Sequence, residues 1–144
     1  MSNQNERNTA LLTHLSGFLG AVFPFGSIIG PLILWSANKD KGEFLQENSR
    51  EAVNFNISYT LYLVILGMFM FPFAFGSFFN YLKNIDDWDH LDFHFGFGSL
   101  FGFASVATII SVITVLRYIL IIVAAVKASR GETYNYPLTI NFIK

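Results

Sequence analysis

From Ala52 to Leu82 the chain carries no charged residue. This stretch constrains the fold more than any other, because it exceeds the roughly 20 apolar residues that a helix needs to cross a bilayer core. Its leading edge is not clean. Glu47, Glu51, Asn54 and Ser58 follow one another at steps of four, three and four. On a helix that spacing draws one polar stripe running into an apolar cylinder. The segment from Asn48 to Phe55 therefore reads as the start of a membrane helix whose polar face looks at the rest of the protein, not at lipid. Two further windows are almost bare of charge. Asn8 to Asn38 holds only His14, and Phe95 to Val126 holds only Arg117. Charged residues make up 13% of the chain, against about 25% in soluble domains. The expected fold is an all-α membrane protein forming one integral membrane domain over residues 1–144. It is a compact bundle of three hydrophobic segments, at about 10–37, 52–79 and 95–126, followed by an extended C-terminal tail.

The first segment is not a simple span. Phe23-Pro24-Phe25-Gly26-Ser27 combines a residue lacking a backbone donor with one that loosens the chain, which predicts a break at Pro24–Ser27 and four helical pieces in all. Pro31 falls near the first turn of the second piece, where proline is tolerated. Each half amounts to roughly 16–21 Å of helix, short of a core of about 30 Å. The window is either one kinked span or a re-entrant hairpin, which leaves the side of the N-terminus open. Pro72 predicts a kink in the second segment. After the third segment, Tyr134, Tyr136, Leu138, Ile140 and Phe142 alternate with smaller or polar residues, as in an extended segment.

Basic residues orient the chain. Six of the nine Lys/Arg lie in loop 38–50 (Lys39, Lys41, Arg50) and the tail (Lys127, Arg130, Lys144). These two regions are expected in the cytoplasm, and the acidic loop 80–94 outside, in a multi-pass protein of the cell membrane. The net charge of −1 and the absence of a basic run point away from nucleic acid. Without cysteine, neither disulfides nor thiolate metal sites are available. The partners implied are the lipid bilayer and, beyond it, a second copy or another membrane protein; no cofactor is expected.

Three motifs, His14-Leu15-Ser16-Gly17, Gly30-Pro31-Leu32-Ile33-Leu34-Trp35 and Arg50-Glu51-Ala52-Val53-Asn54-Phe55, together with Ala124-Ala125-Val126-Lys127-Ala128 and Gly131-Glu132-Thr133-Tyr134-Asn135-Tyr136-Pro137-Leu138, resemble a family of small prokaryotic membrane proteins, the domain of unknown function 4870. That family is distantly similar to the membrane subunit of the chloroplast inner-envelope import translocon. The resemblance implies a compact helical membrane domain of three or four hydrophobic segments and no known catalytic residues.

Arg117 is the sharpest anomaly among the residues. A charge about 15 Å inside a membrane helix costs about 2.5–3.5 kcal/mol on insertion scales, so such a group is expected to face the bundle and find a partner. Asn54, Ser58, Glu51 and carbonyls freed near Pro24 are the candidates for that partner. The polar stripe reads either as the lining of a cavity or as hydrogen-bonding glue toward Ser111, Thr114 and Tyr118. His14 reads as a packing histidine before a proton carrier. Asp86, His90 and His94, four apart, could hold a divalent metal such as zinc on one helical face, but a solvated outer loop is the better reading, and no metal site is expected. Gly26-Ser27-Ile28-Ile29-Gly30 is a small-xxx-small pattern that permits close helix approach, within the chain or between copies. No Walker loop, nucleophile elbow or HExxH motif is present. The leading function is a non-enzymatic membrane protein, a scaffold or component of a membrane assembly. The alternative is a small channel or carrier for an ion or polar solute, lined by Glu51, Asn54, Ser58 and Arg117. His14 and Arg50 complete the polar candidates.

Overall fold

The structure, a computed structural model, describes residues 2–23, 25–38, 40–83 and 97–144. Its regular structure is helical, with four α-helices and no strand among the described residues: α1 (Gln4–Leu15), α2 (Gly26–Asn38), α3 (Glu43–Lys83) and α4 (Phe97–Ser129). A 3₁₀ segment, Ser16–Ala21, joins α1 toward α2. The chain divides into two compact units, residues 1–61 with 115–144, and residues 62–114.

Hydrophobicity alone would start α1 near Ala10, but its polar N-terminus begins it six residues earlier. Asn3 Oδ1 accepts from the Glu6 amide at 2.8 Å, and Glu6 Oε2 accepts from the Asn3 amide at 3.1 Å. This reciprocal capping box satisfies two amide donors that a helix start otherwise leaves open. Polar residues that looked like a leading tail are therefore helix.

The first hydrophobic window does break, and it breaks earlier than the proline predicts. The α-helical pattern ends at Leu15, tightens to 3₁₀ over Ser16–Ala21, and resumes at Gly26. Phe25 sits in the left-handed region, φ 63°. Glycines explain the packing. A Cβ on Gly26 would run into the backbone carbonyl of Leu19, and one on Gly30 would meet the Ser16 carbonyl oxygen at 2.9 Å. The small-xxx-small pattern thus serves packing within the chain, laying α2 against the 3₁₀ segment. Pro31 falls in the second turn of α2, and the helix runs on through it.

Neither piece of this window can cross a bilayer. α2, with 13 residues, is about 20 Å long. Among the described residues two helices, not three, are long and apolar enough to span: Glu43–Pro72 within α3 and Ala104–Ser129 within α4. The expected bundle of three spanning segments is corrected accordingly. α3 continues through Pro72 as far as Lys83.

The distribution of side chains in the first unit is inside out. Its apolar core is small: Phe55, Ile121, Ala124 and Tyr136 form one cluster, and Ala10, Leu45 and Ala128 another. Buried beside them are Thr13, His14, Asn48, Asn54, Asn56, Ser58 and Arg117. Val115, Leu116, Ile119 and Ile122, by contrast, are all about half exposed. Only 22% of each spanning window is buried. The core helix of a soluble protein would hide most of such a window, so the apolar surface needs an apolar solvent.

Gly26→Ala should destabilise the protein by about 1–3 kcal/mol, the usual cost of overpacking a site bounded by backbone. Gly67→Ala is the control, since nothing lies within 4 Å of a Cβ there. It should be neutral or stabilise by up to about 1 kcal/mol, because alanine is the better helix former. Unfolding of both variants in detergent micelles, followed by circular dichroism, gives the comparison.

Candidate functional site

The tail, residues 132–144, lies along α3, and the polar stripe is what holds it. Glu47 Oε2 accepts from the Thr133 hydroxyl at 3.3 Å, and Glu51 Oε2 accepts from the Tyr136 amide at 3.4 Å. Ser58 Oγ accepts from the Ile140 amide at 2.8 Å. Asn54 does most. Its Oδ1 accepts from the amides of Phe142, at 3.1 Å, and Ile143, at 2.8 Å, while its Nδ2 donates to the Ile143 carbonyl at 3.0 Å. An amide side chain carries both an acceptor and donors, so it can close an extended backbone as a neighbouring strand would. The strap follows α3 from Glu47 to Ser58 and then reverses, with the Phe142 amide donating to the Ile140 carbonyl at 3.0 Å. The stripe binds the chain's own tail, through backbone at Glu51, Asn54 and Ser58 and through a hydroxyl at Glu47. The hydroxyls of Ser111 and Thr114 turn back onto carbonyls of their own helix, and Tyr118 stacks on Phe18 at 5.0 Å.

Tyr136 pins the strap to the core. Its ring stacks on Phe55 at 3.9 Å and 9°, and its hydroxyl lies 2.9 Å from Nδ1 of His14. On the other side, His14 Nε2 lies 3.0 Å from Asn48 Oδ1. Asn48 Nδ2 donates to the Phe44 carbonyl, so its oxygen faces the imidazole and accepts. Nε2 therefore carries the proton, and Nδ1 accepts from the Tyr136 hydroxyl. His14 is fully buried. Burial pushes its pKa down to about 4, against the opposing pull of the Asn48 hydrogen bond. Burial likewise raises the Tyr136 phenol above its ordinary value. Both groups are neutral near pH 7, and the three-residue chain links α1, α3 and the tail.

Arg117 faces inward, and its partners differ from those the spacing suggested. One guanidinium nitrogen donates to Asn56 Oδ1 at 2.7 Å and to the Gly17 carbonyl at 3.2 Å. The guanidinium carbon lies 4.3 Å from the centroid of Tyr59 and 5.7 Å from that of Tyr118. Glu51, Asn54 and Ser58 serve the strap. Nε is buried without a partner. The carbonyl comes from the 3₁₀ segment, where tightening changes which carbonyls the helix consumes. Arg117 thus ties the first window to both long helices through a carbonyl, an amide and two aromatic faces.

Arg50 is half-buried at the loop end of the stripe, next to Glu51. Asp86, His90 and His94 lie outside the described residues. No cluster of metal-binding side chains occurs among the described ones. Five members of the site were not among the candidates read from the sequence: Gly17, Asn48, Asn56, Tyr59 and Tyr136. Asn56 carried a signal, since it is an amide inside the charge-free window, two residues off the stripe and so on another face of the helix.

Among the described residues, fold and site define a small helical protein with two helices apolar enough to span a bilayer and a polar core closed by its own tail. A family model described as the magnetosome magnetite crystal formation protein family (MamF/MmsF) matches residues 5–143. The chain belongs to that family. This corrects the resemblance drawn from the motifs: the matching family is neither the domain of unknown function 4870 nor a relative of the translocon subunit. No curated protein and no solved structure matches the chain.

Two measurements test this core. Asn56→Leu leaves the Arg117 charge buried with a carbonyl as its main acceptor and should cost about 3–5 kcal/mol. Adding Arg117→Leu should recover much of that loss, because an apolar pair of similar size replaces a desolvated charge. Unfolding in detergent resolves the cycle. The second measurement concerns pH. Unfolded His14 takes up a proton near pH 6.5, whereas the folded protein resists it to about 4. More protons are bound in the unfolded state across that window, so stability is complete above pH 6.5 and falls as pH drops toward 4, by about 3 kcal/mol. His14→Gln should flatten this slope relative to wild type.

Proposed function

We propose that this protein is a non-enzymatic component of the magnetosome membrane that supports magnetite crystal formation as a structural member of a membrane assembly. Membership of the family supports the setting. The inside-out distribution of side chains supports insertion, with α3 and α4 as two spans. Loop 38–50 and the tail lie on the cytoplasmic side, because six of the nine Lys/Arg are there. The segment 80–94 is rich in Asp and His, side chains of types that iron ions accept as ligands.

The observation that carries the structural role is where the polar groups spend their bonds. Asn54 and Ser58 are taken by the strap, and Arg117 by Asn56 and Gly17. A conducting path would need those same groups to face the solute, which is how the alternative, a small channel or carrier, would use them.

Returning the wild-type gene to a magnetite-forming host that lacks it should restore crystal size, as measured by electron microscopy. The pair Asn54→Leu and Ser58→Ala, which frees the strap, should not. Purified protein in vesicles should pass ions no faster than empty vesicles. A conductance abolished by Arg117→Leu would overturn the scaffold reading in favour of the channel.

A further inference from the structure

We infer that residues 136–143 form a lipid-inserted strap, seating Leu138, Ile140 and Phe142 in the upper acyl layer of the bilayer while α3 supplies the hydrogen bonds that lipid cannot. The inference rests on the membrane reading above. Its first support is depth. Glu51 is the last charged residue before the bare stretch, and the strap reaches Ser58, seven residues further on. At 1.5 Å per residue this is about 10 Å, the depth at which interfacial segments lodge in the headgroup and acyl boundary.

The second support is the bonding. Non-helical backbone is tolerated near hydrocarbon only if its polar groups are satisfied by protein. The amides of Tyr136, Ile140, Phe142 and Ile143 are each given a side-chain acceptor on α3. A tail resting in water needs no such provision, since water would serve the same amides.

The third support is the choice of side chains. Leu138 is 85% exposed and has φ 58°. The left-handed region favours glycine or asparagine, and a turn facing water would take one of them. Leucine there combines backbone strain with apolar exposure, and acyl chains remove the exposure. Ile140 and Phe142 are 43% and 48% exposed. Lys127 and Arg130 precede the strap and Lys144 follows it, so its flanks suit anionic headgroups.

The test uses the full chain in vesicles of phosphatidylcholine and phosphatidylglycerol, with and without brominated acyl chains. In a Trp35→Phe, Trp88→Phe background, Phe142→Trp reports on the strap and Ile119→Trp, on the exposed face of α4, on the span. Both reporters should emit to the blue and be quenched by the brominated lipid. Adding Asn54→Ala and Ser58→Ala should reduce quenching at position 142 by about twofold while position 119 stays quenched, which separates release of the strap from unfolding. Quenching at 119 without quenching at 142 overturns the strap alone. Absence of quenching at both overturns the membrane reading. Blue emission at 142 that resists the brominated lipid and varies with protein density would put a second copy on the strap, and would likewise overturn the inference.

Discussion

The structure depends on one constraint: backbone polar groups beside an apolar solvent must find partners within the protein. Helices meet it internally, which is why α3 and α4 carry the spanning windows. The tail is not helical and cannot. Its amides are met by the polar stripe of α3, and the stripe's polarity is met in turn by the tail. Neither element is well placed alone. A bare stripe would leave Asn54 and Ser58 without their tail partners, and a bare tail would leave its amides open. Their pairing is one mutual satisfaction, and Tyr136, stacked on Phe55 and bonded to His14, sets its register.

Arg117 solves the same problem for a charge. Among the described residues its contacts include no carboxylate, and its positive charge is spread over an amide oxygen, a carbonyl and two aromatic faces. Such contacts suit arginine, whose delocalised, weakly hydrated charge tolerates stacking better than an ammonium group does. The arrangement also explains the irregular first window. The 3₁₀ segment presents the Gly17 carbonyl to the guanidinium, and a Cβ on Gly17 would sit 3.0 Å from Ile121 and 3.2 Å from Asn56. A side chain at this crossing would press on the ends of Ile121 and Asn56, which would have to give by a few tenths of an ångström.

Much of the fold was legible in the sequence, and the reasons are physical. Windows without charge located the bodies of α3 and α4, because lipid penalises charge whatever the neighbours are. The first window misled on length. Its hydrophobicity suggested a span, while close packing at Gly26 and Gly30 made it two short pieces. Its start was hidden because a capping box is written in polar residues that look like a tail. In the site, His14, Glu51, Asn54, Ser58 and Arg117 stood out singly, as polar groups in apolar surroundings do. Their partners did not. His14 meets Tyr136, 122 residues away, and Arg117 meets Gly17 across 100. Helical spacing reports which side chains share a face, but an amide or hydroxyl bonds helix, strand or loop equally well. Nothing in the period of the stripe says that its partner is an extended backbone.

The path of the strap has a consequence for biosynthesis. Residues 133–143 leave the ribosome after α3 and α4, yet they complete the polar face of α3. Until then Glu47, Glu51, Asn54 and Ser58 lack their partners on the tail, and His14 lacks the hydroxyl that its Nδ1 accepts from. Formation of the long helices does not need the tail, whereas closure of the polar core does. A chain stopped anywhere short of Tyr136 presents an open polar seam.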